Sequence, residues 1–75
     1  MSSPRRSRQR QTLPGWVSEG TAIHDPLAGR RGIVQFIGEW TNPATGLVVE
    51  NAVYARVVGR GPEWVVVDPS SLERD

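Results

Sequence analysis

An all-β fold is what this sequence predicts: a small barrel of four to five short antiparallel strands, preceded by a disordered, arginine-rich N-terminal arm. Three observations lead there. Apolar residues alternate with a period of two, as in Val53, Ala55 and Val57 against Tyr54, Arg56 and Val58, which suits a strand and not a helix. Glycine and proline punctuate the chain at short intervals, among them Gly20, Pro26, Gly29, Pro43, Gly46, Gly59 and Pro62. No stretch carries a helical apolar period of useful length, so with no helix to cover a sheet, closing the sheet on itself is the simplest way to hide its edges.

At 75 residues the chain holds one domain. A domain of this size buries only about 60% of its unfolded surface, so one small core of marginal stability is expected. There is no cysteine, which removes disulfides and thiolate metal sites, and no long apolar run that would make a membrane span or a signal-peptide core. A soluble, cytoplasmic protein is the expectation. The net charge of +1 conceals an asymmetry: residues 1–15 carry Arg5, Arg6, Arg8 and Arg10 with no acid, and the remainder carries five arginines against eight acids. The arm is basic and the body mildly acidic. All nine cations are arginine, which reflects a GC-rich genome as much as a demand for guanidinium chemistry.

Taken in order, residues 1–12 have no aliphatic or aromatic group after Met1, hence nothing to bury against their ordering entropy, and residues 1–14 are read as a disordered arm. Residues 15–75 form the barrel domain, with Trp16-Val17 as its first anchor. A first strand is placed at residues 21–24. Asp25-Pro26-Leu27-Ala28-Gly29 is a loop, because Pro26 has no N–H for a ladder and Gly29 accepts a left-handed backbone. The stretch Gly29-Arg30-Arg31-Gly32-Ile33-Val34-Gln35-Phe36-Ile37 is a turn feeding the second strand, residues 32–40, on which Val34, Phe36 and Trp40 share one face.

Thr41-Asn42-Pro43-Ala44-Thr45-Gly46 is the clearest hairpin tip. Residues 47–58 exceed an average strand, and the polar pair Glu50-Asn51 marks a bulge, bend or loop within them. Gly59-Arg60-Gly61-Pro62 turns into a short strand, Glu63-Trp64-Val65-Val66-Val67. Asp68-Pro69 then reads as a cap followed by proline at the first helical position, so one helical or 3₁₀ turn is expected before a polar end at Glu73-Arg74-Asp75. Val34, Phe36, Val57, Trp64 and Val66 are expected to share the core.

The order Gly20-Thr21-Ala22-Ile23, a loop, then Gly32-Ile33-Val34 resembles the SH3-like barrels, and specifically their KOW-type turn, found in ribosomal and transcription-factor domains. The likeness covers about a fifth of the chain and implies an SH3-like barrel. More broadly, Arg30-Arg31-Gly32-Ile33-Val34, Tyr54-Ala55-Arg56, Gly59-Arg60-Gly61-Pro62-Glu63-Trp64 and Asp68-Pro69 are similar to small uncharacterised proteins of GC-rich bacteria, which bring no activity with them.

The chemistry-bearing residues point away from catalysis. His24 is the one histidine, there is no cysteine or lysine, and its neighbour Asp25 lies on the opposite face of any strand the two share, so they form no dyad. His24, Asp25, Glu39 and Asp68 have no metal-ligand spacing, and no cofactor is implied. Trp16, Trp40 and Trp64 fit either a stacking platform or a core; Trp64, flanked by valines, is assigned to the core, and Trp40, near the hairpin tip, is the candidate for exposure.

The arm is the sharpest functional signal, since acid-free arginines interleaved with Ser and Gln suit salt-sensitive tracking of phosphates. The leading expectation is a non-catalytic nucleic-acid-binding accessory or regulatory module, contacting DNA or RNA through Arg5, Arg6, Arg8, Arg10, Arg30, Arg31, Arg60 and Trp40. The alternative is a protein-interaction adaptor, or a small structural component of a phage or mobile element, built on the same barrel. Fold alone does not choose between them.

Overall fold

The structure, a computed structural model, describes residues 8–59 and 61–75. Among the described residues six strands make one sheet: β1 (Arg8–Arg10), β2 (Ala22–Asp25), β3 (Arg30–Thr41), β4 (Val48–Arg56), β5 (Glu63–Val65) and β6 (Glu73–Arg74). Their order is β1-β4-β3-β2-β6, with β5 also on β4, and the sheet curls into a half-barrel. The predicted all-β class is what is seen. The long antiparallel β3–β4 ribbon is its spine, and β1 and β5 share the far edge of β4, β1 parallel along Val48–Glu50 and β5 antiparallel along Tyr54–Arg56.

Each turn follows from local chemistry. Asp25 faces Arg30 across the β2–β3 turn, and the carboxylate Oδ1 accepts the backbone N–H of Leu27 (3.2 Å) and Ala28 (3.4 Å), so the loop is held by the residue that starts it. Three residues beyond β5, Asp68 caps a 3₁₀ turn over Pro69–Ser71, accepting from the N–H of Ser70, as its Asp-Pro sequence predicts. The expected break at Glu50-Asn51 is a β-bulge. Gly38 pairs with Ala52 and Trp40 with Val49, so two β4 residues oppose one on β3, and Asn51 takes φ 63°.

The core lies under one face and contains Val17, Ile23, Val34, Val53, Ala55, Val66 and Leu72, with Leu13, Trp16, Ile37 and Trp64 packed against it. Val34, Val66 and Trp64 therefore stand where the sequence puts them, and Val57 is half-buried outside the cluster. Phe36 does not join them. Between Val34, paired with Ala55, and Phe36, paired with Tyr54, the register slips by one residue at Gln35, so Ile37 takes the inward position opposite Val53 and Phe36 turns to the other face, 51% exposed.

Two further corrections concern the ends. The predicted disordered arm does not extend over Arg8–Arg10, which form β1, nor over Gln11, whose N–H donates to the Glu50 carbonyl at 3.2 Å. Residues 1–7 lie outside the described residues. The polar end is not a free tail either, since Glu73 and Arg74 pair with His24 and Ile23 as strand β6. The described residues thus hold six strands, one of them pairing in parallel, against the expected four to five antiparallel ones.

Candidate functional site

The predicted contact residues divide between the two ends of β3. Arg30 and Arg31 start the strand and Trp40 lies ten residues further on, about 33 Å at a strand's rise per residue. Arg8 and Arg10 belong to the Trp40 end, because β1 pairs beside Val49, which pairs with Trp40. Arg5, Arg6 and Arg60 lie outside the described residues.

At both ends the guanidiniums already have partners. Nη1 of Arg8 is 2.7 Å from Oε2 of Glu39 and 2.7 Å from Oε2 of Glu50, and Nε of Arg10 is 3.0 Å from Oε1 of Glu50. Nε of Arg31 lies 3.1 Å from Oδ1 of Asp75 as an ion pair, and Arg30 stacks over the Trp64 ring at 5.2 Å. Arg74 sits over Trp16 in the same manner at 5.4 Å. The sequence separates a basic arm from an acidic body; the fold brings the two together, so a phosphate would have to displace carboxylates to reach Arg8, Arg10 or Arg31.

The network around Glu50 is sensitive to acid. Hydrogen bonds from Arg8, then Arg10, hold the Glu50 carboxyl below its ordinary value of 4.5. A carboxyl whose folded pKa is depressed stabilises the fold fully above the unfolded value and loses that contribution as pH falls through the folded one. Acidification from pH 6 to below 4.5 is thus expected to release β1 while the core stays folded. Amide exchange checks this: protection at Arg8–Gln11 should drop before that of Val53 and Val34, and simultaneous loss would show that β1 is integral to the body.

The Trp40 end holds a feature for which sequence reasoning assigned only Trp40. After the slip at Gln35, Phe36, Gly38 and Trp40 share the face of β3 opposite the core, with Tyr54, Ala52 and Val49 as their β4 partners. The Phe36 and Tyr54 rings meet at 5.6 Å with a tilt of 54°, and the Phe36 ring lies where a side chain on Gly38 would be. Tyr54 donates its hydroxyl to the Glu39 carbonyl at 3.1 Å; burial, with Glu63 nearby, pushes its phenol pKa up. Beside this row opens a cleft of about 360 Å³. It is lined by the apolar Trp40, Leu47, Val49, Val65, Val66 and Val67 and by the amides of Gln9, Gln11 and Asn42.

A signal for this second apolar face exists in the sequence. Trp64-Val65-Val66-Val67 is apolar at four successive positions and Val53-Tyr54-Ala55 at three, as in strands covered on both sides rather than one. His24 and Asp25 do point to opposite faces. Nδ1 of His24 lies 2.8 Å from Oε1 of Glu73, while Oδ2 of Asp25 accepts the Trp64 indole N–H at 2.9 Å. Among the described residues no helix is long and apolar enough to cross a membrane. Compared with known proteins, the chain matches no family model, no curated protein and no solved structure.

Proposed function

We propose that the chain is a soluble, non-catalytic protein-interaction module of the cytoplasm, and that it takes its partner on the apolar face around Trp40. One observation carries the reading: a domain that already has a core beneath one face of its sheet keeps a second apolar surface open on the other, including Phe36 (51% exposed) and Val67 (80% exposed). Apolar surface of this kind on a small body is characteristic of interfaces, and a tryptophan in a preformed cleft is the usual form of a binding hot spot. The cleft is lined by apolar side chains and uncharged amides and, among the described residues, by no charged one, which suits an extended peptide.

Nucleic-acid binding is the second reading, favoured by the exposed arginines of the β2–β3 turn, Arg30 and Arg31. It is weakened by the carboxylates that already hold Arg8, Arg10 and Arg31.

Peptides selected from a random library on the native protein are expected to shift the resonances of Trp40, Val49 and Val65. Trp40→Ala, shown to be folded by its amide spectrum, should weaken them about tenfold or more. Ligands that map elsewhere, or a failure to select any, would overturn the reading. Titration with duplex DNA, single-stranded DNA and RNA at low and high salt tests the second, because phosphate contacts at Arg30 and Arg31 would give salt-dependent affinity insensitive to Trp40→Ala.

A further inference from the structure

Strand β1 is a weakly held element in a demanding position. It is three residues long with every side chain exposed, it pairs in parallel, and its attachment beyond the ladder is an exposed ion-pair network and a reciprocal exchange between Gln11 and Asn51. Yet it covers the edge of β4 along Val48–Glu50 and forms one wall of the cleft. The residues it meets are specific. Arg8 and Arg10, two apart, point to the side of Glu39 and Glu50, and Gln9 between them lines the apolar cleft opposite Val49.

That arrangement matches the site in charge and leaves it mismatched in polarity. Two carboxylates receive two guanidiniums, but the residue facing Trp40, Val49 and Val65 is an uncharged amide, and the cleft beside it stays open. We infer that this edge of β4 is a strand-addition site for a partner protein's extended Arg-apolar-Arg segment, which β1 occupies in cis as an imperfect copy. The inference rests on the protein-interaction reading above and names the partner's chemistry: a strand parallel to β4, its two arginines on Glu39 and Glu50, and a large aliphatic side chain between them in the cleft. Main-chain hydrogen bonds would supply affinity and the alternate side chains specificity, as in strand addition generally. An occupant tethered by a short linker has an effective concentration in the millimolar range. A second copy of the same arm makes the same contacts without that advantage, whereas filling the cleft gives a foreign strand what it needs to displace β1.

The test uses two hexapeptides, acetylated and amidated, with the sequences Ser-Arg-Leu-Arg-Gln-Thr and Ser-Arg-Gln-Arg-Gln-Thr. They are titrated into the native protein and into the doubly substituted Arg8→Glu, Arg10→Glu protein, whose own arm is repelled from Glu39 and Glu50. The leucine peptide should bind about tenfold more tightly than the glutamine peptide, as expected for one aliphatic side chain moved from water into an apolar site. Both should bind the substituted protein more tightly than the native one, and both should lose affinity when Glu39→Gln and Glu50→Gln are added. The shifted amides should be those of Val48–Glu50. Should the substituted protein not fold, the native protein decides: excess leucine peptide must shift Val48–Glu50 and free the Arg8–Gln11 amides. No shift there, equal affinity of the two peptides, or indifference to the glutamates overturns the inference. Shifts in the same amides with protein concentration alone, accompanied by dimerisation, would assign the edge to a second copy and overturn it also. If library-selected ligands still map to Trp40 while both hexapeptides fail, the strand-addition site is lost and the protein-interaction reading survives; if neither binds, both fall.

Discussion

Gly32→Ala is expected to lower stability by about 3 kcal/mol, the upper part of the range for forced overpacking, and in a domain of this size that is a large share of the total stability. A Cβ on Gly32 would run into the Arg56 backbone carbonyl and stand 2.9 Å from Cη2 of Trp64. Neither obstacle can yield cheaply. The Arg56 carbonyl belongs to β4 beside the Ile33 pairing, so moving it opens the ladder, and Trp64 is fixed by its hydrogen bond to Asp25 and by the core beneath. Gly38→Ala is the internal control, because there the added carbon meets only the ring of Phe36, an exposed side chain that can rotate away. Thermal melts of the two variants should differ widely, and equal midpoints would show that β3 and β4 do not approach as closely as the structure has them.

Asp25→Ala should be nearly as damaging. The carboxylate is 1% exposed and accepts three donors, the indole N–H of Trp64 at 2.9 Å and the amides of Leu27 and Ala28. Removing it leaves the half-buried Trp64 indole N–H without its partner, at about 1–3 kcal/mol where water does not replace it, and releases the turn that sets the register of β2 against β3. Trp64→Phe removes one donor and leaves the turn intact, so it should cost less. If the carboxylate and the indole act as one unit, the double variant Asp25→Ala, Trp64→Phe should lose less than the sum of the single losses; strict additivity in chemical denaturation would show that the turn and the Trp64 contact are independent.

The sequence by itself determined whatever a few neighbouring residues can settle. Asn42-Pro43 and Gly46 set the hairpin tip, Asp68-Pro69 caps the 3₁₀ turn, and the polar pair Glu50-Asn51 interrupts the apolar run of β4 with a bulge, so all three were legible with their mechanisms. Alternation placed the β3–β4 ribbon and put Val34 and Val66 inside. Only the tertiary structure decided which face Phe36 takes, because the slip at Gln35 carries no glycine or polar pair to announce it and arises where two strand registers must be reconciled. A one-residue slip exchanges faces, and so a residue expected in the core became part of the candidate interface. The arm is the same lesson in electrostatics. Its composition shows four cations and nothing to bury, but Arg8 finds its carboxylates 31 and 42 residues away, at Glu39 and Glu50, and those partners exist only once the ribbon has folded.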